Sequence, residues 1–107
     1  MTLKRITLDD LKPGMVFGYS FPAEPEGRRF CIAQCARVKH LKSQGRKTLF
    51  VSRARCIAPV HGDPKAMEWQ NYNNGTQSGY CDAEGWEIYE YDEDALWAAH
   101  CAQVLTR

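Results

Sequence analysis

Residues 28–58, RRFCIAQCARVKHLKSQGRKTLFVSRARCIA, constrain the fold more than any other stretch of the chain. In the first arm Phe30, Ile32, Gln34, Ala36 and Val38 alternate with Cys31, Ala33, Cys35, Arg37 and Lys39. In the second, Phe50, Ser52, Ala54, Cys56 and Ala58 alternate with Leu49, Val51, Arg53, Arg55 and Ile57. Successive side chains of an extended strand point to opposite faces, so this period of two predicts a pair of strands. Gly45 takes a positive φ at little steric cost, and a three-residue turn Ser43-Gln44-Gly45 closes the pair into a long hairpin. That turn sets Val38 opposite Phe50 and Arg37 opposite Val51. A slip of one residue would turn each apolar set to the wrong face. On this register Phe30, Ile32, Ala36, Val38, Phe50, Ala54 and Cys56 form the expected core. Arg37, Lys39, Arg53 and Arg55 form a basic face, with Lys42, Arg46 and Lys47 at the tip.

Charge is distributed unevenly along the chain. Residues 1–57 carry 12 Lys and Arg against 4 Asp and Glu, whereas residues 58–107 carry 2 against 9. The halves are therefore +8 and −7, although the whole is only +1. Such asymmetry suits a surface for nucleic acid or an acidic protein. The simpler alternative is that the halves fold together and neutralise one another. At 107 residues, with 44% hydrophobic side chains, the chain is expected to form one domain, 1–107, with a modest core. Five cysteines at irregular spacing, no apolar leader and no membrane-length apolar run point to free thiols in the cytoplasm and exclude a membrane partner. Asn74-Gly75-Thr76 matches a glycosylation sequon, which in that setting is simply a turn signal.

The flanking segments predict a small α+β fold. Thr7 caps a short helical turn over Leu8–Leu11, and Pro13-Gly14 ends it in a type II turn. Met15–Phe21 is a first strand, apolar on both faces and interrupted by Gly18. Residues 60–79 lack a clean period and read as a long loop with a one-turn helix at Lys65–Trp69. A second, shorter hairpin pairs Gly79–Asp82 with Trp86–Tyr91 across Ala83-Glu84-Gly85. Asp92 is the N-cap of a C-terminal helix whose stripe of Trp97, Ala98, Cys101, Val104 and Leu105 is expected to face the core. The fold class is thus a small antiparallel, strongly curled sheet, or SH3-like barrel, of about five strands with a C-terminal helix.

Chemistry-bearing residues are sparse. Cys31, Cys35, Cys56 and His61 have a ligand-like composition, but Cys31 and Cys35 lie ~13 Å apart along one strand and Cys56 points to the other face. The thiols therefore read as packing rather than as a metal site. His61, beside Asp63 and past a strand end, is a candidate general base, but no nucleophile accompanies it. No cofactor is implied. Tyr72, Tyr80, Tyr89 and Tyr91 are expected near the basic face, where they could stack bases. Trp69, inside the irregular loop, is the tryptophan expected to be partly exposed.

Three short stretches carry a family resemblance. Lys12-Pro13-Gly14-Met15-Val16-Phe17-Gly18-Tyr19-Ser20-Phe21, then Gly27-Arg28-Arg29-Phe30-Cys31-Ile32-Ala33, then Cys56-Ile57-Ala58-Pro59-Val60-His61 together resemble the outline of PemK/MazF-type proteins over residues 12–61. Those proteins are SH3-like barrels, usually dimeric endoribonuclease toxins. The resemblance implies a barrel, a homodimer and catalytic roles for Arg29 and His61. Two departures stand at or beside those positions: Phe30 replaces the family proline and His61 the family threonine.

The sequence therefore leads to a cytoplasmic, non-enzymatic binding module that presents its basic hairpin to nucleic acid or an acidic protein. A PemK/MazF-like ribonuclease is the alternative. A third reading is an accessory or inhibitor protein of a mobile element or phage, acting through Glu84, Glu87, Glu90, Asp92, Glu93 and Asp94.

Overall fold

A computed structural model describes residues 2–24, 27–41, 46–77 and 85–105, with the side chains of 40, 41, 46, 47 and 73–77 excepted. Five strands, β1 (Val16–Ala23), β2 (Gly27–Leu41), β3 (Arg46–Cys56), β4 (Gln70–Gln77) and β5 (Glu87–Glu90), precede one helix, α1 (Glu93–Leu105). The strands form one antiparallel sheet in the order β4-β3-β2-β1-β5. The architecture is α+β, as expected. The sheet is neither closed nor strongly curled, so the barrel form is not seen among the described residues.

The long hairpin is present, with a different register. Val38 lies opposite Leu49 and Arg37 opposite Phe50, one residue from expectation, and Leu41 faces Arg46 next to the connection. The predicted turn Ser43-Gln44-Gly45 and Lys42 lie outside the described residues. Below this level the pairing shifts twice, between Gln34 and Cys35 and between Cys35 and Arg37. The partners show that Ser52 is extra on β3 and Ala36 extra on β2. Each bulge flips the alternation of its own strand. The two therefore cancel in register while exchanging which residues face which side.

The exchange corrects the expected core. One face buries Phe17, Ala33, Cys35, Leu49, Val51 and Ile88 beneath Leu11, with Val38 and Ala54 at the margin. The opposite face buries Phe30, Ile32, Ile57, Tyr89 and Leu96. Phe30 and Ile32 are core as expected, whereas Ala36, Val38, Phe50, Ala54 and Cys56 are only partly buried. Both faces of the sheet are covered, one by the N-terminal segment and the other by α1. An uninterrupted two-fold alternation with a single core could not anticipate that.

The N-terminal segment is tied down by a type II turn, with Gly14 at φ 88° and Met15 N–H donating to Lys12 O at 3.0 Å. Before it, Thr7 N–H donates to Asp10 Oδ2 at 2.9 Å and starts a 3₁₀ turn over Leu8–Asp10. Further upstream the chain runs beside β5: Glu90 N–H donates to Lys4 O and Ile6 N–H to Ile88 O. Both edges of β5 are therefore occupied, by β1 and by residues 4–6. The expected partner arm Gly79–Asp82 lies outside the described residues.

Asp92 caps α1 as expected, its Oδ1 accepting from Ala95 N–H at 3.0 Å. The buried stripe is not the expected one. Ala95 and Leu96 are buried and Ala99 packs on the sheet, while Trp97, Val104 and Leu105 are exposed. Gly18 explains this orientation. A Cβ there would stand 2.9 Å from Leu96 Cδ1, so glycine leaves the space that Leu96 fills. Gln103 fastens the far end by accepting from Arg28 N–H at 3.0 Å and donating to Arg28 O at 2.6 Å. Gly18 thus acts as a docking point rather than as an interruption of the strand. Finally, residues 60–79 are not one long loop. Pro64–Met67 form a 3₁₀ turn capped by Asp63, and Gln70–Gln77 form β4, an edge strand.

Candidate functional site

The face of the sheet that carries α1 extends beyond the helix onto the arginines of the hairpin. Gln34 pairs with Arg53 and Ile32 with Arg55, so these two arginines share a face with the covered residues Phe30 and Ile32. Because the two bulges cancel, Arg37, Lys39 and Phe50 come to the same face higher in the hairpin. All four expected cations thus share a face, for a reason different from the one the sequence offered. Arg46 and Lys47 sit on β3 opposite Leu41 and His40, with their side chains outside the described residues, as is all of Lys42.

Aromatic rings organise these cations. The Arg53 guanidinium lies 4.1 Å from the centre of the Trp69 ring and that of Arg55 lies 5.2 Å from it. Arg37 lies 4.3 Å above Phe50. Each such contact contributes about 0.5–2 kcal/mol and restrains a flexible side chain. Arg53 is fixed further by donating from Nε to Gln34 Oε1 at 2.9 Å, and Gln34 in turn donates to Gly14 O at 2.8 Å. Trp69 reaches this position because the Asp63-capped 3₁₀ turn delivers it to the start of β4, beside β3. Trp69 is partly exposed, as expected, and otherwise covered by arginines. Tyr72 is exposed, and because it follows Asn71, the cross-strand partner of Arg53, it falls on the opposite face of the sheet.

Part of the charge asymmetry is consumed within the fold. Arg55 donates to Glu93 at 2.6 Å, Lys4 pairs with Glu90, and Arg5 and Arg28 both pair with Glu87. Every one of these pairs joins the basic half to the acidic half. The hydrogen bond from Arg55 holds the Glu93 carboxyl below its ordinary range. Arg55 retains only 17% exposure of its side chain, whereas Arg37 and Lys39 are exposed.

The two catalytic candidates line different recesses. His61 has φ 53° and Gly62 φ 81°, and Asp63 N–H donates to Val60 O, so residues 60–63 form a tight turn with both central φ positive. His61, Asp63, Lys65 and Gln70 border an open depression there. Arg29 instead borders a small cavity with Phe30, Pro59 and His100, and Val60 lines both. On the face away from α1, the rings of Tyr19, Phe21 and Trp86 stack, with Phe21 and Trp86 4.5 Å apart. Burial pushes the Tyr19 hydroxyl far above its ordinary value.

The cysteines differ from expectation in one respect. Cys56 does not point away from Cys31; the two are cross-strand partners with sulfurs 3.6 Å apart. Among the described residues no three His, Cys, Asp or Glu side chains cluster as metal ligands. No helix among them is long and apolar enough to cross a membrane. Phe50 and Trp69 are the site residues that pattern reasoning missed as a group. The alternation of β3 points Phe50 to the core and the composition around Trp69 points to a loop, whereas pairing of β4 with β3 sets Trp69 beside Arg53.

No family model, curated protein or solved structure matches this chain.

Proposed function

We propose that the protein is a cytoplasmic, non-enzymatic module that binds single-stranded nucleic acid on the sheet face of Arg37, Lys39, Arg53 and Arg55, with Lys42, Arg46 and Lys47 as further candidate cations in the sequence. The observation that carries the reading is the layering of Arg53 on Trp69 and of Arg37 on Phe50. A guanidinium seated over a ring can stack on a base and donate its N–H groups to phosphate. An acidic protein would draw on charge alone, and part of that charge already serves Glu93. Labelled single-stranded DNA and RNA of mixed sequence, titrated with protein at increasing salt, test the reading. Affinity should fall log-linearly with salt, with a slope of about −0.7 per phosphate neutralised. No binding at low salt, or salt-independent binding, removes it.

One observation favours a second reading, a PemK/MazF-type endoribonuclease on an SH3-like barrel, acting as a homodimer: Val60 is a wall common to the recesses of Arg29 and His61. Induced expression in a bacterium tests it. Growth arrest abolished by His61→Ala would support it, and normal growth would dismiss it. The accessory-protein reading has less support, because Glu87, Glu90 and Glu93 already hold internal ion pairs.

A further inference from the structure

Cys31 and Cys56 stand directly opposite each other on β2 and β3. Ile57 N–H donates to Phe30 O at 3.2 Å, which makes Cys31–Cys56 a non-hydrogen-bonded pair, the position at which antiparallel strands bring side chains closest. Cα atoms at such positions are typically ~4.5 Å apart, inside the range that a disulfide spans. The sulfurs lie 3.6 Å apart in thiol contact. The two thiols are not equivalent. Cys31 is 2% exposed, whereas Cys56, the last residue of β3, is partly open. Cys35, the other buried thiol on this strand, faces Val51 and has no cross-strand cysteine.

We infer that Cys31 and Cys56 form a redox-active pair that closes to a cross-strand disulfide by exchange with a low-molecular-weight disulfide and reopens with thiols. The open Cys56 attacks first. Its thiolate, having given its proton to solvent, displaces one thiolate from the small disulfide and forms a mixed disulfide. Cys31 then loses its proton and attacks Cys56 Sγ, expelling the second small thiolate. Two protein thiols and one small disulfide thus become one protein disulfide and two small thiols. The Cys56 thiol beside it and then burial hold Cys31 well above its ordinary pKa. The resting pair is therefore a dithiol, and Cys31 serves to resolve rather than to initiate.

The test uses the intact chain. Reduced protein is incubated with excess oxidised glutathione, quenched with acid, alkylated and digested, and its cysteine peptides are mapped. The pair predicts a Cys31–Cys56 cross-link, loss of alkylation at those two thiols with Cys35 retained, and full reversal by dithiothreitol. Cys31→Ser should trap the glutathione adduct on Cys56, and Cys56→Ser should leave Cys31 unmodified. A stable adduct on wild-type Cys56, a cross-link to any other cysteine, or both thiols still alkylated would overturn the inference without requiring either variant to fold.

Discussion

Truncating Leu96 and Trp97 separately tests how α1 sits on the sheet. Leu96 is fully buried among Phe30, Ile32, Ile57 and Tyr89, above Gly18. Leu96→Ala loses the transfer energy of its removed carbons and leaves a cavity. Buried leucines of this kind cost 2–5 kcal/mol, and a site walled by paired strands cannot collapse readily, so the expected loss is about 3–4 kcal/mol. Trp97 is 46% exposed and touches His100, with ring centres 5.5 Å apart. Trp97→Ala should cost only about 1 kcal/mol, since a large part of its surface stays in water. Had the apolar stripe of the sequence been the buried one, Trp97→Ala would cost about 3–5 kcal/mol. Urea unfolding followed by far-ultraviolet circular dichroism separates the cases without relying on tryptophan emission. A cost for Trp97→Ala equal to or above that for Leu96→Ala would refute the packing described.

Gly18→Ala places a methyl against Leu96 and should destabilise by about 1–3 kcal/mol through overpacking, read from the same urea curves. Tyr89→Phe removes a buried 2.5 Å hydrogen bond to Ser20, but Arg28 Nε still donates to that hydroxyl at 3.1 Å, so its cost in thermal unfolding should be only about 1 kcal/mol. Because the Glu93 pKa is lowered in the fold, its stabilisation is present above the ordinary carboxylate pKa and is lost as pH falls through the lowered value. Glu93→Gln should therefore flatten the acid limb of a stability–pH profile slightly while changing stability at neutral pH by under about 1 kcal/mol, since Glu93 is half-exposed. His61→Asn relieves a positive φ in a turn type that favours Asn-Gly, and should raise stability by about 0.5–1 kcal/mol in thermal melts.

Much of this fold was legible, and the failures share a physical origin. The period of two located β2 and β3, Pro13-Gly14 its turn and Asp92 the helix start, because each is a local rule obeyed by adjacent residues. The bulges at Ala36 and Ser52 were invisible because neither residue breaks the apparent alternation, and a small or polar side chain is tolerated on either face. Strand β4 was missed because QNYNNGTQ has no apolar alternation; it forms at an edge, paired to β3, and its described side chains, Gln70, Asn71 and Tyr72, are exposed. The helix stripe was misread because Trp97, Val104 and Leu105 carry the larger side chains, while the true contact uses the small Ala95 and Ala99 around Leu96. At the candidate site the arginines could be named from sequence. Their ring partners could not, since Trp69 meets Arg53 only through the pairing of β4 with β3.

The most direct test of the proposed function is a nitrogen-15 NMR titration of the protein with a short single-stranded oligonucleotide at low salt. Shift changes should concentrate at the amides of Arg37, Lys39, Phe50 and Arg53 and at the Trp69 indole, and added salt should reverse them. Absent changes, or changes confined to the opposite face around Phe21 and Trp86, would contradict it.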